Sequence, residues 1–312
     1  MRVFDSSLTL YRKTLKRVRP LHVAAHVVMS RAVIPLLERS QRFDTMPDDP
    51  FWFRLDLLTG RHEAETTQQI ERLVKPGMTV LDIGAHVGYY SRRSARLVGD
   101  SGRVFAFEPH PRTFETLARN LRPYANVTPV QAAVAEREGT AELYDYLMMS
   151  ASGSLNYDES MRDLQKAQLA AGDVAPRIAT DFPMQTYTVR TLALDEYLAN
   201  EGVERVDVVK MDIEGAEIGA LRGMRQTIAN SPGIALIMEY NPAALKSFDH
   251  DPQQALAEVL AMGFDSLQVI ETDGSLRDLN SDGAAGDQTI GQMTTHLMEH
   301  MGVVNLLLTR HA

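Results

Sequence analysis

From Phe51 onward the chain alternates short apolar runs with longer stretches of helical periodicity. βαβ units around a parallel sheet produce this alternation, because each crossover helix must cover a sheet face between consecutive strands. The apolar runs predict strands at Thr79–Asp82, Val104–Phe107, Val127–Val130, Val206–Met211, Ile234–Glu239, Ser266–Ile270 and Val303–Leu308. Helical patterns fall at Glu63–Leu73, Tyr89–Val98, Pro111–Leu121, Thr191–Ala199, Ala216–Met224 and Pro252–Met262. The fold class is therefore α/β with an open sheet. A chain of 312 residues that is 44% hydrophobic has enough apolar material for such a core.

Two segments interrupt the rhythm. Between Gly139 and Arg190, Ala141–Tyr144 and Gln185–Val189 read as an extra hairpin enclosing a Ser/Gly/Asn-containing loop and a short helix near Met161–Ala170, an insertion placed over a site. The stretch Thr272–His296 is rich in Asp, Gly, Ser and Thr, and a connection this long reads as a functional or disordered loop. Ahead of the main domain, residues 51–312, residues 1–50 read as a helical N-terminal extension. Its apolar stretch Leu21–Leu37 is broken by His22, His26, Ser30, Arg31 and Pro35, too short and too polar for a transmembrane segment of about 20 apolar residues. Arg12, Lys13, Lys16, Arg17 and Arg19 imitate the start of a signal peptide, but no small-x-small cleavage site follows cleanly. A docked helix, or a homodimer contact, is the expectation.

A net charge of −9 opposes a nucleic-acid partner, since phosphate backbones are bound by basic footprints, and a small-molecule substrate fits better. With no cysteine, disulfides, thiolate catalysis and Cys-ligated zinc are excluded, and a cytoplasmic location is expected. No metal site is expected either. His62, His86 and His110 have no partner at i, i+4 spacing and read as site neighbours. Asp212, Glu239 and Asn241 offer three oxygens to a hard cation. Against that stands a simpler reading, in which Glu239 pairs with Lys210 or contacts substrate and Asn241-Pro242 caps the next element.

The strongest local pattern is Asp82-Ile-Gly84-Ala85-His86-Val-Gly88-Tyr-Tyr90, a carboxylate and two glycines where a strand turns into a helix. Glycines there permit close backbone approach, and the helix N-terminus offers a positive dipole. The G-x-x-x-G spacing behind an Asp departs from the dinucleotide G-x-G-x-x-G and favours a nucleoside bearing an amino acid, whose ammonium the Asp attracts. Glu108, before Pro109 at the next strand end, is placed to accept ribose hydroxyls, as such acids do in NAD sites too. Gln131-Ala132-Ala133 leaves room for a flat adenine, or equally packs beneath a helix.

Farther along, Val206-Asp-Val-Val-Lys210-Met-Asp212 buries an ammonium in an apolar run, which requires a partner. Alternation puts Lys210 and Asp212 on one side, with Glu214 continuing the pattern. The group reads as catalytic, with a structural ion pair as the competing reading. Glu217, a turn later, reads as a helix N-terminal partner.

Val80-Leu-Asp-Ile-Gly-Ala-His-Val-Gly-Tyr-Tyr-Ser91, Phe105-Ala-Phe-Glu-Pro109, Asn126-Val-Thr-Pro-Val-Gln-Ala-Ala133 and Lys210-Met-Asp-Ile-Glu-Gly-Ala-Glu217 together resemble the FkbM family of methyltransferases, in family order and spacing from about Gly60 onward. The resemblance implies a class I methyltransferase (Rossmann-like) sheet of order 3-2-1-4-5-7-6 with an antiparallel last strand. It also implies S-adenosyl-L-methionine as cofactor and O-methylation of a hydroxyl on a sugar, glycolipid or polyketide-like acceptor. Asp82, Gly84 and Gly88 match the family's methionine-side loop, Glu108 its ribose acid and Glu63 an upstream Glu, while His86 stands where the family often has Asn. Family members often carry a Ser-rich stretch like that containing Ser152, Ser154 and Asn156, which would contact acceptor hydroxyls or form a plain turn. In such an enzyme Asp212, then Glu214, is the base, with Lys210 orienting it or stabilising the developing alkoxide. The alternatives are an NAD-dependent oxidoreductase and a non-catalytic cofactor-binding protein of the same fold.

Overall fold

The computed structural model describes residues 29–145, 153–157, 184–279, 284–300 and 302–310. The chain forms two compact units, residues 1–62 and 63–312. In the first, a π-helical turn, Met29–Val33, runs into α1 (Ile34–Gln41), and α2 (Phe51–Thr59) follows an irregular stretch. Arg54 on α2 reaches Glu38 on α1 at 3.1 Å and the Thr45 hydroxyl at 2.7 Å, tying the unit together around its own ion pair. The unit thus extends past Pro50, and α2 groups with the N-terminal extension rather than with the domain that follows.

The second unit runs α3 (Ala64–Leu73), β1 (Thr79–Ile83), α4 (Tyr89–Val98), β2 (Arg103–Phe107), α5 (Pro111–Leu121), β3 (Val127–Val130), β4 (Ala133–Val134), β5 (Gly139–Asp145), β6 (Gly153–Ser154) and β7 (Gln185–Leu192). It continues with α6 (Leu194–Asn200), β8 (Val208–Met211), α7 (Glu217–Arg222), α8 (Arg225–Ala229), β9 (Ala235–Tyr240), α9 (Pro242–Ser247), α10 (Pro252–Ala261), β10 (Ser266–Ile270), β11 (Leu276–Asp278), α11 (Ala284–His300) and β12 (Val304–Thr309). The large sheet has order β11-β10-β12-β9-β8-β1-β2-β3. Counting only the seven strands expected from sequence, this is 3-2-1-4-5-7-6, with β11 added at one edge. β12 is antiparallel to both β9 and β10, and the pairs among β3, β2, β1, β8 and β9 are parallel.

Strands β1, β2, β8 and β9 are buried on both faces, so Leu81, Ile83, Phe105, Phe107, Val209, Met211, Leu236 and Met238 belong to one continuous core. The Thr272–His296 segment is no loop, since it contains β11 and much of α11. Thr and Gly lower the intrinsic helix preference of α11 and hide it in composition. Ile290, Met293 and Leu297 nevertheless form an i, i+3, i+7 stripe packed on the core, and Thr294 shares a 2.8 Å hydrogen bond with the Tyr240 hydroxyl.

The insertion hairpin is longer than its sequence suggested. β5 and β7 pair antiparallel from Gly139↔Thr191 to Asp145↔Gln185, in a separate sheet of order β4-β7-β5-β6. Thr191 therefore lies in a strand that ends at Leu192, and the helix expected from that position begins at Leu194. The helix expected near Met161–Ala170 lies outside the described residues.

Candidate active site

Strand order reverses between β1 and β8, and open α/β sheets bind ligands at the carboxyl ends of strands at such a switch point. Asp82 stands there, 1% exposed. Its Oδ2 accepts from the Ser91 hydroxyl on α4, while Oδ1 is buried without a hydrogen-bond partner. Burial raises its pKa above the usual aspartate value, opposed by Lys210 and Ser91. An orphaned carboxylate oxygen is costly in the interior, and a ligand ammonium would satisfy it.

The two glycines have a different physical basis from the one read off the sequence. Gly84 has φ +77°, and a Cβ there would lie 1.9 Å from the Asp212 carbonyl oxygen. Gly88 has φ +90°, and its Cβ would lie 2.9 Å from a Leu117 methyl. They let β1 press against the end of β8 and α4 settle against α5. The loop amides are also spent internally. Gly84 and Ala85 N–H groups donate to the Phe107 carbonyl at 3.0 and 2.9 Å, and the His86 N–H donates to Glu108 Oε2 at 3.0 Å. His86 has φ 51°, a left-handed conformation in which Asn and His are both enriched, so either residue meets the same backbone demand.

Glu108 is 8% exposed and held from both sides, because Oε1 accepts from the His110 N–H at 2.9 Å. Burial pushes its carboxyl up to about 7, against the pull of the His110 and His86 contacts. Each oxygen keeps a second lone pair, and two are what a ribose diol requires.

Lys210 on β8 is 4% exposed, and its Nζ lies 2.9 Å from Asp212 Oδ2. The same ammonium sits 5.0 Å from the centroid of the Tyr90 ring, whose hydroxyl donates to Glu63 Oε2 at 2.8 Å. Burial alone would lower the lysine, but Asp212, Glu63 and Asp82 outweigh it and hold the ammonium firmly protonated. Glu63, with φ 39°, forms the N-cap of α3.

On the other side of Asp212 stand more carboxyls. Glu214, with φ 53°, is pushed up to about 8 by burial and then by Asp212 and Glu217. Glu217 is pushed up to about 7 by burial, although its Oε1 accepts from the Ile213 and Gly215 N–H groups and thereby anchors the loop carrying Glu214. Register puts Met211 level with Met238, so Asp212 and Glu239 follow side by side, and Glu239 is raised by burial and by Asp212, Glu214 and Glu217. The close ion pair of Lys210 goes to Asp212, not to Glu239. Asn241 accepts from the Ala244 N–H at 3.1 Å and caps α9.

Ala132 is fully buried in the main core and Ala133 packs with Leu143 and Val189, the packing role that the sequence offered beside an adenine slot. Ala85 packs with Ala106, Leu117 and Leu121. Gln131 is exposed and Pro109 half-buried at the same edge. Ser154 donates to the Glu214 carbonyl at 3.5 Å and Asn156 to the Ser247 carbonyl, tying the insertion to the acid-bearing loop and to the end of α9, and Ser152 lies outside the described residues. His62 rests its ring edge on Phe53 within the N-terminal unit. Sequence reasoning missed Tyr90, whose contacts with Lys210 and Glu63 span long stretches of chain. Among the described residues, no group of three or more His, Asp or Glu is arranged to hold a metal ion.

A carboxylate-lined switch point with a single buried ammonium suits a cationic cofactor, and with the 3-2-1-4-5-7-6 order it defines the class: a class I, S-adenosylmethionine-dependent methyltransferase fold. The Methyltransferase FkbM domain matches residues 82–266, and the chain belongs to that family. Among curated proteins it is similar to the 2-O-methyltransferase NoeI of Sinorhizobium fredii, 26% identical over 53% of this chain and 64% of that protein. It is also similar to the hexuronic acid methyltransferase AglP of Haloferax volcanii, 23% identical over 71% of this chain and 80% of that one. The chain thus spans somewhat under two thirds of NoeI. Among solved structures, an S-adenosylmethionine-dependent O-methyltransferase of Thermotoga maritima aligns with 80% of this chain and 65% of its own, at 14% identity and a TM-score of 0.41.

Proposed function

We propose that this protein transfers a methyl group from S-adenosylmethionine to a hydroxyl of a sugar or comparable small hydroxylated acceptor. The observation that carries the reading is the Lys210–Asp212 pair, set at the end of β8 directly beside the Asp82 strand end. The cofactor, when bound, supplies a methyl group activated on a sulfonium. Asp82 Oδ1 would take its ammonium and Glu108 its ribose hydroxyls. Asp212 accepts the proton of the attacking hydroxyl, and Lys210, holding Oδ2, fixes that carboxylate in place. Glu214, with its carboxyl raised to about 8, is mostly protonated at neutral pH and donates a hydrogen bond toward the acceptor. The relatives named for 2-O- and hexuronic acid methylation support a sugar. A dinucleotide is disfavoured, because its pyrophosphate would enter a crevice formed by Asp82, Glu63, Asp212 and Glu108 with one already paired ammonium.

No helix among the described residues is long and apolar enough to cross a membrane, and the absence of cysteine fits a cytoplasmic location, which is part of the proposal. A homodimer through the apolar N-terminal extension, where Leu36 is exposed, is checked by sedimentation of the full chain. The functional test pairs thermal shift with turnover. S-adenosylhomocysteine should stabilise the protein where NAD does not, and Asp212→Asn should lower kcat/KM on a sugar acceptor by about 10²–10⁴-fold with cofactor affinity kept. Stabilisation by NAD alone, or full activity of Asp212→Asn, refutes the reading.

A further inference from the structure

The insertion meets the cofactor side of the crevice through one buried imidazole. His110, 7% exposed, follows Glu108 by two residues, and its backbone N–H holds Glu108 Oε1 at 2.9 Å. Its ring caps α5, with Nδ1 accepting from the Thr113 N–H at 3.3 Å and lying 3.2 Å from the Thr113 hydroxyl. A neutral imidazole that accepts through Nδ1 carries its proton on Nε2. Nε2 lies 3.2 Å from Asp145 Oδ2, on the last residue of β5, yet it is off the line of a hydrogen bond and stays unsatisfied in the interior. The distance and the missing bond describe one contact that is close but misaligned. Tyr187 on β7 packs edge-to-face with the imidazole, the two ring centroids 4.7 Å apart. From Asp145, paired with Gly153 of β6, the small sheet reaches Ser154 and so the carbonyl of Glu214.

We propose that His110 is a positioning residue that couples Glu108 to the placement of the insertion, so that filling the ribose end of the cofactor site aligns the His110–Asp145 contact and sets the hairpin over the acceptor crevice. The inference rests on the reading of Glu108 as the ribose acid. Its physical basis is a shared carboxylate, because ribose hydroxyls would bind the second lone pairs of the same two oxygens that the His86 and His110 N–H groups hold. Any recentring of Glu108 carries the His110 backbone with it. The ring is pinned on one side by the α5 cap, so the freedom left to it is rotation of Nε2 toward or away from Asp145. A buried donor without a partner favours the rotation that completes the bond.

A double-mutant cycle on S-adenosylhomocysteine affinity, measured by calorimetry on the full chain, tests this together with hydrogen exchange in β5 and β7. His110→Asn keeps a cap acceptor and loses Nε2, and Asp145→Asn is isosteric. Asp145→Asn should weaken S-adenosylhomocysteine about five- to tenfold in the wild-type background and less than about twofold in His110→Asn, in the range of ordinary site coupling. Ligand should slow exchange of residues 139–145 and 185–192 in the wild type and leave it unchanged in either variant. If the two substitutions act independently, or the hairpin is protected equally in Asp145→Asn, the coupling is overturned while the cofactor reading stands. Failure of the wild type to bind S-adenosylhomocysteine overturns both. Should His110→Asn fold poorly, the exchange measurement on Asp145→Asn decides alone.

Discussion

Replacing Lys210 by Met tests the electrostatic centre of the site. Methionine has a similar length and fills much of the same space, so the change removes a charge rather than opening a cavity. What remains is Asp82, 1% exposed, with one oxygen already orphaned and its nearest compensating cation gone. Breaking a buried pair by deleting one partner costs about 3–5 kcal/mol, and the Asp212 carboxylate, 27% exposed, recovers part of its share from water, so about 3 kcal/mol is expected at pH 8. Asp82 already has a folded pKa above its unfolded value, and losing Lys210 raises it further. The folded variant then holds a proton that the unfolded chain has released, and its stability falls as pH rises. Each pH unit under that condition is worth about 1.4 kcal/mol, so much of the deficit should vanish by pH 5. Glu214 and Glu239, which also lose the stabilising field of Lys210, move the same way. Calorimetric melts at pH 5, 6.5 and 8 read the effect as a loss of about 6–12 °C at pH 8 that shrinks toward acid. A deficit of the same size at every pH would refute the charge argument and reduce Lys210 to a space filler.

Glu108, raised to about 7 in the cofactor-free protein, should make S-adenosylhomocysteine affinity rise about tenfold between pH 6 and 8 as the carboxylate forms; calorimetric titrations of Glu108→Gln should show weak binding with a flat profile over that interval. Gly84→Ala should destabilise by more than about 4 kcal/mol, or prevent folding, because its Cβ meets a backbone oxygen that cannot move aside. Gly202→Ala, at φ +65° with open space around it, should cost about 1–2 kcal/mol in the same denaturant titration, and equal losses at the two positions would show that conformation, not the Asp212 carbonyl, sets the demand at Gly84.

Most of the sheet was legible because its signals are local. An apolar run that ends in Asp-Ile-Gly and enters Tyr-Tyr-Ser fixes a strand, a turn and a helix within a dozen residues, and α4 and α5 begin and end where periodicity places them. The Lys210 pairing was legible in part: an ammonium in an apolar run requires a partner and strand alternation offers Asp212, but Glu239, the other partner the sequence offered, does not make the close pair. The rest depends on partners far along the chain. α11 is a poor helix by composition and forms because Ile290, Met293 and Leu297 have a core to lie on. Ala132 and Ala133 left slot and packing equally open in sequence, and their packing partners come from the distant core and the β5–β7 hairpin. Tyr90 reads as one aromatic in a helix start until Lys210 and Glu63 are brought to its two ends.

Gly84 shows best how the ends of β1 and β8 are tied together. Its missing side chain leaves room for the Asp212 carbonyl, so the loop after β1 and the loop after β8 touch backbone to backbone. Lys210 then draws Asp82, Glu63 and Asp212 toward a single point charge. Groups tied in this way have little freedom to reorganise, and positioning is the main contribution a protein can make to an in-line methyl transfer. The same arrangement leaves the crevice with more negative than positive charge, which raises the energy of the cofactor-free state and is relieved by a ligand carrying an ammonium and a sulfonium. On the proposed mechanism, donor binding and the placing of the base therefore both draw on one buried lysine.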